Sequence, residues 1–149
     1  MDFNPLNFGY PSLFLLALVN QLIVPAPVDL IMLGLIKAGL NIWAVLGVAI
    51  LGMTVGSTAD YIFGRYGLNL IPWVRKEEKS KQFKRAEKLF KKYGQITLFL
   101  TWLPFIGKYI PLIAGLMKTP TMNFVAFYIL GKVIYYGVLI VVLKYSNIL

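Results

Sequence analysis

The chain contains no cysteine and no histidine. This excludes disulfide bonds, thiolate metal sites, cysteine nucleophiles, serine–histidine pairs and imidazole proton relays. Titrating chemistry must therefore use aspartate, glutamate, lysine or tyrosine, and the chain has only six acidic residues. A glycine-rich phosphate loop after a strand-like run is also missing. We therefore expect no enzymatic activity, no metal site and no other cofactor.

Long polar stretches are scarce as well. Hydrophobic residues make up 58% of the chain, and its mean hydropathy is +0.72. Four apolar blocks, at 13–36, 42–63, 96–117 and 124–143, each come close to the ~20 residues that cross a bilayer core. Residues 1–10 lack the basic region of a cleavable signal peptide. The sequence predicts an all-α, multi-pass protein of the cell membrane and leaves open whether it forms a homo-oligomer.

The positive charge is concentrated in one stretch. Ten of the fifteen lysines and arginines lie between residues 65 and 92. A basic loop between apolar spans is cytoplasmic by the positive-inside rule, and this placement disfavours nucleic acid as a partner. Apolar side chains recur there at helical spacing, at Phe83, Ala86, Phe90 and Tyr93. This predicts an amphipathic helix over residues 75–93 on the inner membrane surface; a solvated charged loop is the alternative.

The first and third apolar blocks are interrupted by residues that break helices: Pro25, Pro27, Pro104, Gly107 and Pro111. Proline inside a helix removes a backbone donor and clashes with the preceding turn. Broken backbone at membrane depth is tolerated only where it is buried in protein or lines a wet cavity. We therefore interpret each block as a re-entrant helical hairpin, with Asp29 at the first tip and Lys108 at the second.

The second block places four residues on one helix face, because they recur at intervals of four: Gly52, Gly56, Asp60 and Gly64. Close approach of another helix explains the glycines. It does not explain Asp60, since an ionised acid at membrane depth costs about 2.5–3.5 kcal/mol. Water or Arg65 would relieve part of that cost. In the last block, Lys132 either snorkels to the interface or faces the helix bundle.

The two halves of the chain share a pattern. Residues 34, 37 and 43 correspond to residues 115, 118 and 124 at one constant offset. Within a single membrane domain, repeat 1 covers about 11–67, the basic connector 74–93 and repeat 2 about 94–146. A re-entrant hairpin returns to its starting face, so the repeats are inverted and both termini lie outside. If each hairpin were a full span, the chain would cross four times and both termini would be inside.

Three stretches carry a family resemblance. Residues 24–29, VPAPVD, form a proline-rich tip ending in an acid; residues 56–67 read GSTADYIFGRYG; residues 101–115 read TWLPFIGKYIPLIAG, with a GK pair at 131–132. These stretches resemble the DedA (VTT-domain) family of membrane proteins, most closely its YqaA-like branch. The chain departs from the family at four positions. Gln21 and Lys108 stand where acids are common, and Thr101 and Gly107 stand where arginines are common.

The resemblance implies two facing hairpins and a role in moving lipids across the bilayer. The activity would be that of a scramblase or a flippase for phospholipids or polyprenyl-phosphate carriers, with proton-motive-force dependence in parts of the family. It makes membrane lipids with anionic phosphate headgroups the expected partners. The expected substrate and proton pathway comprises Asp29, Lys108, Asp60, Arg65, Gln21 and Lys132.

From the charges themselves, we expect Asp29 and Lys108 to meet near the midplane, since a paired acid and base cost less there than either alone. Lys108 would receive a lipid phosphate when protonated Asp29 releases it. A static ion pair is the alternative. Two other functions remain open: an ion or small-solute transporter that uses the same cavity, and a structural protein that recruits a partner through the basic helix.

Overall fold

A computed structural model describes residues 5–22, 28–67, 72–103 and 105–148. Within these ranges every regular element is helical. The α-helices are α1 (Pro5–Leu22), α2 (Val28–Lys37), α3 (Ile42–Tyr66), α4 (Pro72–Glu77), α5 (Lys81–Tyr93), α6 (Tyr109–Leu116) and α7 (Thr121–Tyr145). A 3₁₀ helix covers Gly94–Trp102. The all-α expectation is thus confirmed for the described residues.

Helices α3 and α7 are the two described helices long and apolar enough to cross a membrane. Each has 25 residues, which corresponds to a length of about 37 Å. Each also exposes large apolar side chains along its length, such as Leu51 and Val55 on α3 and Val138 and Val141 on α7. A continuous apolar surface of this kind is unfavourable in water and suits a helix that faces lipid.

The described chain forms two compact units. The first contains the described residues up to Gly56 together with those from Tyr136 onward, and the second is Ser57–Tyr135. Helices α3 and α7 each contribute to both units. These boundaries differ from those of the expected repeats, and the internal repeat stays a prediction.

In the first unit, α1 and α2 pack against each other. Helix α2 has ten residues, or about 15 Å, roughly half the ~30 Å of a bilayer core. Pro25 and Pro27, which are expected to break this block, lie outside the described residues. Helix α3 approaches α1 closely at Gly52, where an added Cβ would lie 2.8 Å from the carbonyl oxygen of Phe14. The expected role of this glycine in close helix packing is confirmed.

In the second unit, the third apolar block is broken between the 3₁₀ helix and α6. Gly107 lies in the intervening turn, where an added Cβ would be 2.3 Å from the carbonyl oxygen of Thr101. Pro104 lies outside the described residues. The expectation that Pro111 breaks the block is wrong, because this proline is the third residue of α6. The first four helical N–H groups have no intrahelical acceptor, so a proline there removes no helix hydrogen bond.

The basic connector consists of two helices, where the sequence predicted one. Helix α5 begins after Ser80, whose hydroxyl accepts a hydrogen bond from the Phe83 N–H (3.1 Å). The predicted apolar face is present, but it packs against α6 and the 3₁₀ helix and not against the membrane surface. Phe83, for example, is 1% exposed and meets the Tyr109 ring edge-on at 5.9 Å. Tyr93, expected on the same face, is 51% exposed.

Candidate functional site

The second unit encloses a group of polar side chains. Its buried polar or charged residues are Ser57, Asp60, Thr97, Thr119 and Lys132. Two of them are ionisable: Asp60 is 6% exposed on α3, and Lys132 is 8% exposed on α7. Both lie on helices whose outer surfaces are apolar, so these charged groups point away from lipid.

A close crossing of α3 and α6 forms one side of this group. An added Cβ on Gly64 would lie 2.0 Å from the Leu112 carbonyl oxygen, and one on Gly115 would lie 2.0 Å from the Tyr61 carbonyl oxygen. Real Cβ atoms do not approach backbone oxygens so closely, so only glycine fits at either position. The spacing of Asp60 and Gly64 on one helix face therefore brings the acid next to α6.

Lys108 is one source of opposite charge for Asp60. Lys108 is exposed just before α6, and its ammonium lies 4.7 Å from the centroid of the Tyr109 ring. Arg65, which the sequence suggested as the relief for Asp60, donates instead to the Tyr61 hydroxyl and to the Thr119 carbonyl oxygen. The arginine points there because the α6–α7 turn presents that carbonyl at the end of α3.

Lys132 faces the protein interior, which decides between the two orientations left open by the sequence. Its ammonium lies 5.6 Å from the centroid of the Tyr128 ring, one turn earlier on α7. The buried Tyr128 hydroxyl in turn forms a hydrogen bond with Ser57 and lies near the charge of Asp60. Gly131 lets α7 approach the 3₁₀ helix, since an added Cβ would lie 3.1 Å from the Phe99 Cα.

A second set of contacts ties the end of α3 to the α6–α7 turn. The Tyr61 hydroxyl donates to the Thr119 carbonyl oxygen and lies 3.2 Å from the Thr121 hydroxyl. Its ring stacks on Phe124 with the ring centroids 4.5 Å apart. Tyr61 is 1% exposed and Arg65 is half-buried. These contacts hold the helices that carry Asp60 and Lys132, so their role is to position the charged residues.

Asp29 belongs to the first unit. It lies in the first turn of α2, where a helix N-terminus favours negative charge, and its Oδ1 accepts a hydrogen bond from the Tyr136 hydroxyl (3.1 Å). The same hydroxyl lies 3.5 Å from the Met53 sulfur. A cavity of about 20 Å³ extends from Asp29 between apolar side chains of α2, α3 and α7. That volume accommodates one water molecule.

The structure brings together only part of the expected pathway. Asp60, Lys108 and Lys132 belong to the second unit and Asp29 to the first, so pairing of Asp29 with Lys108 stays a prediction. Gln21 lies on α1, with its side chain outside the described part of the chain. Sequence reasoning missed Ser57, Tyr128 and Tyr136. The sequence does contain one indication for the two tyrosines: each lies four residues from Lys132, and therefore on the same face of a helix.

Comparison with known proteins supplies independent information. Residues 24–145 match the VTT domain. The chain is 31% identical over 130 residues to an uncharacterized protein of Rickettsia prowazekii, covering 87% of this chain and 92% of that protein. It is 27% identical over 126 residues to the inner membrane protein YqaA of Escherichia coli, covering 84% of each. It is 29% identical over 148 residues to undecaprenyl phosphate transporter A of Staphylococcus aureus, covering 85% of this chain and 67% of that protein. No solved structure gave a significant match.

Proposed function

Because this chain belongs to the VTT-domain (DedA) family of membrane proteins and resembles YqaA, we propose that it moves lipids across the bilayer. The proposed substrates are lipids with an anionic phosphate headgroup, either phospholipids or polyprenyl-phosphate carriers. The activity is that of a scramblase or a flippase. A relative named as an undecaprenyl phosphate transporter supports this class of substrate.

The observation that carries the proposal is the burial of Asp60 and Lys132 within the two long apolar helices. Charged side chains at membrane depth are costly, and they mark substrate or ion pathways more often than structural sites. Replacing a buried ion pair by apolar residues of similar volume is often neutral or stabilising, so protein stability alone does not account for these charges. A headgroup crossing an apolar layer needs such groups, because its own charge has to be compensated along the way.

The proposed mechanism uses one charge from each hairpin. Lys108 is exposed and provides an ammonium that compensates the charge of a lipid phosphate. Asp29 is the proposed competitor for the same ammonium, and its protonation would release Lys108 to the lipid. Transport would then respond to the proton gradient, because a proton on Asp29 favours the lipid-bound state.

The lengths of three elements, α2, α6 and the 3₁₀ helix, support re-entrant hairpins, whereas α1 has 18 residues. Helices α2 and α6 have ten and eight residues, and the 3₁₀ helix has nine. At 1.5 Å per α-helical residue and 2.0 Å per 3₁₀ residue, each reaches only about 12–18 Å. In the proposed topology the basic connector is cytoplasmic, α3 and α7 cross the membrane, and both termini lie outside.

Purified chain reconstituted into liposomes tests the function. Fluorescent phosphatidylglycerol is placed in both leaflets, and dithionite added outside destroys the fluorophore it can reach. We expect the wild type to move labelled lipid from the inner to the outer leaflet, where dithionite destroys the fluorophore. Fluorescence should therefore fall below the level of protein-free liposomes. Asp29→Asn and Lys108→Ala should slow this loss, because each removes one of the two proposed exchanging charges.

Two matched variants control for the change of charge. Lys144→Ala removes an exposed lysine, and Glu87→Gln removes an acid from a surface ion pair with Lys91 (2.8 Å). Both should flip lipid at the wild-type rate. Wild-type rates in correctly folded Asp29→Asn and Lys108→Ala would refute the mechanism. A secondary transporter would instead carry an ion or small solute across the liposome membrane without flipping lipid. Labelled lipid would not compete with that flux.

A further inference from the structure

Helix α5 has a strongly basic exposed surface. Its buried side chains pack against α6 and the 3₁₀ helix, whereas its lysines and arginines are all exposed. We call these six side chains the basic face: Lys81, Lys84, Arg85, Lys88, Lys91 and Lys92. The helix has one acid, Glu87, which forms an ion pair with Lys91 (2.8 Å). Six cations and one acid give α5 a net charge of +5.

The basic face ends where an exposed apolar surface begins. The 3₁₀ helix follows α5 directly, and the Thr97 hydroxyl donates a hydrogen bond to the Leu89 carbonyl oxygen of α5 (3.2 Å). Tyr93 is 51% exposed and Ile96 is 63% exposed. The Lys92 ammonium lies 5.2 Å from the centroid of the Tyr93 ring, so the basic and the aromatic surfaces are continuous. Aromatic side chains settle at the headgroup level of a membrane, and basic clusters beside them meet anionic lipid.

We propose that the basic face of α5 binds the headgroups of anionic lipids at the membrane surface. The membrane contact of α5 is then made by its charged side, because protein already covers the apolar side. Clusters of about four to eight lysines and arginines on an amphipathic helix are typical of surfaces that bind anionic lipids. The proposal goes beyond the proposed function, since it needs neither lipid flipping nor the interior residues Asp60 and Lys132.

Two observations favour lipid over a soluble acidic protein or a nucleic acid. A soluble partner complements the positive charge alone, whereas a lipid surface also accommodates the exposed Tyr93 and Ile96. Ile96 begins the third apolar block and lies four residues after Lys92. Four residues span at most about 14 Å. The basic face is therefore held near the headgroups if that block enters the membrane.

Short-range quenching in liposomes tests the surface with the full-length chain. Because the chain has no cysteine, Gln82→Cys places a single bimane fluorophore at an exposed position of α5. The phosphatidylcholine liposomes contain a small share of lipid with a nitroxide near the headgroup end of one acyl chain. Nitroxide quenches bimane only at close range, so the signal reports lipid beside α5. We expect spin-labelled phosphatidylglycerol to quench about twofold or more strongly than spin-labelled phosphatidylcholine at the same mole fraction.

Two pairs of substitutions with the same change of charge locate the effect. In the Gln82→Cys protein, Lys84→Gln together with Lys88→Gln removes two cations of the basic face. Lys37→Gln together with Lys144→Gln removes two exposed lysines of α2 and α7. The first pair should reduce the preference for phosphatidylglycerol by about half or more, and the second should leave it unchanged. Salt at about 1 M, where the Debye length is about 3 Å, should abolish the preference.

The outcomes separate this surface from the transport proposal. Equal quenching by the two lipids at low salt would overturn the proposal and favour a soluble acidic partner for α5. Equal effects of the two lysine pairs would also overturn it, because the preference would then follow the net charge of the chain. A lipid preference without lipid flipping would retain the surface and refute transport. Lipid flipping with equal quenching would retain transport and refute the surface.

Discussion

The close crossing of α3 and α6 makes Gly115→Ala a demanding test of the described packing. The new Cβ would lie 2.0 Å from the Tyr61 carbonyl oxygen and 2.9 Å from the Arg65 backbone nitrogen. Both neighbours are helical backbone atoms, which cannot move away as a flexible side chain can. Overpacking of this kind costs about 1–3 kcal/mol and occasionally more. Because α6 must move away from α3 as a whole, we expect a cost at or above the upper end of that range.

The predicted internal repeat offers a matched control. Gly34 on α2 occupies the position that corresponds to Gly115, yet an added Cβ there has no neighbour within 4 Å. Gly34→Ala should be neutral or stabilise the protein by about 0.5–1 kcal/mol, because alanine loses less conformational entropy in a helix than glycine. The free energy of unfolding is measured by titration with dodecyl sulfate, with far-ultraviolet circular dichroism as the readout.

We therefore expect Gly115→Ala to lower the free energy of unfolding and Gly34→Ala to leave it unchanged or raise it. Equal stability of Gly115→Ala and Gly34→Ala would refute the reasoning, since it would mean that α3 and α6 do not touch at this position. The contact matters for the proposed function because the same crossing holds α3, which carries Asp60, against α6, which follows Lys108.

Two further predictions concern the surroundings of the site. Phe83→Ala should cost about 3–5 kcal/mol in the same titration, because the ring is buried against α6, whereas Tyr93→Ala on the exposed part of α5 should cost far less; equal costs would contradict packing of α5 on protein. Tyr61→Phe removes a hydroxyl that accepts from Arg65 and donates to the Thr119 carbonyl, so it should cost about 1–3 kcal/mol. Tyr145→Phe, at an 89% exposed position, should be neutral, and a neutral Tyr61→Phe would show that the contacts at the α6–α7 turn add no stability.

The sequence predicts the long helices well because their signal is local. Residues 42–63 and 124–143 are mostly apolar and contain no proline, and the structure has α3 and α7 there, extended by a few residues at their ends. The helical periodicity of Phe83, Ala86 and Phe90 likewise predicts α5. This periodicity does not indicate whether the apolar face packs against protein or against the membrane, since both bury the same side chains equally well.

The arrangement of the charged residues is less accessible from the sequence. The sequence shows Asp60 and Lys132 as charged residues within apolar helices. It does not show which charged residue acts on Asp60. Lys108 is 48 positions from Asp60 along the chain, and the α3–α6 crossing that joins their two elements is not visible in the sequence. Arg65 is a nearer candidate in sequence, but it points to Thr119 because the fold of the α6–α7 turn offers a carbonyl there.

The central claim is that the broken apolar blocks enter the membrane and return to the same side. The chain has no native cysteine, so single cysteines report their location without background. Lys84→Cys marks the basic connector and Ser146→Cys the exposed end of the chain, and each is labelled in intact cells with a membrane-impermeant maleimide. If the third block is re-entrant, only α7 crosses between the two markers, so Ser146→Cys should be labelled from outside and Lys84→Cys only after lysis. Labelling of both markers from the same side would mean that the block crosses once as a full span, and it would contradict this account.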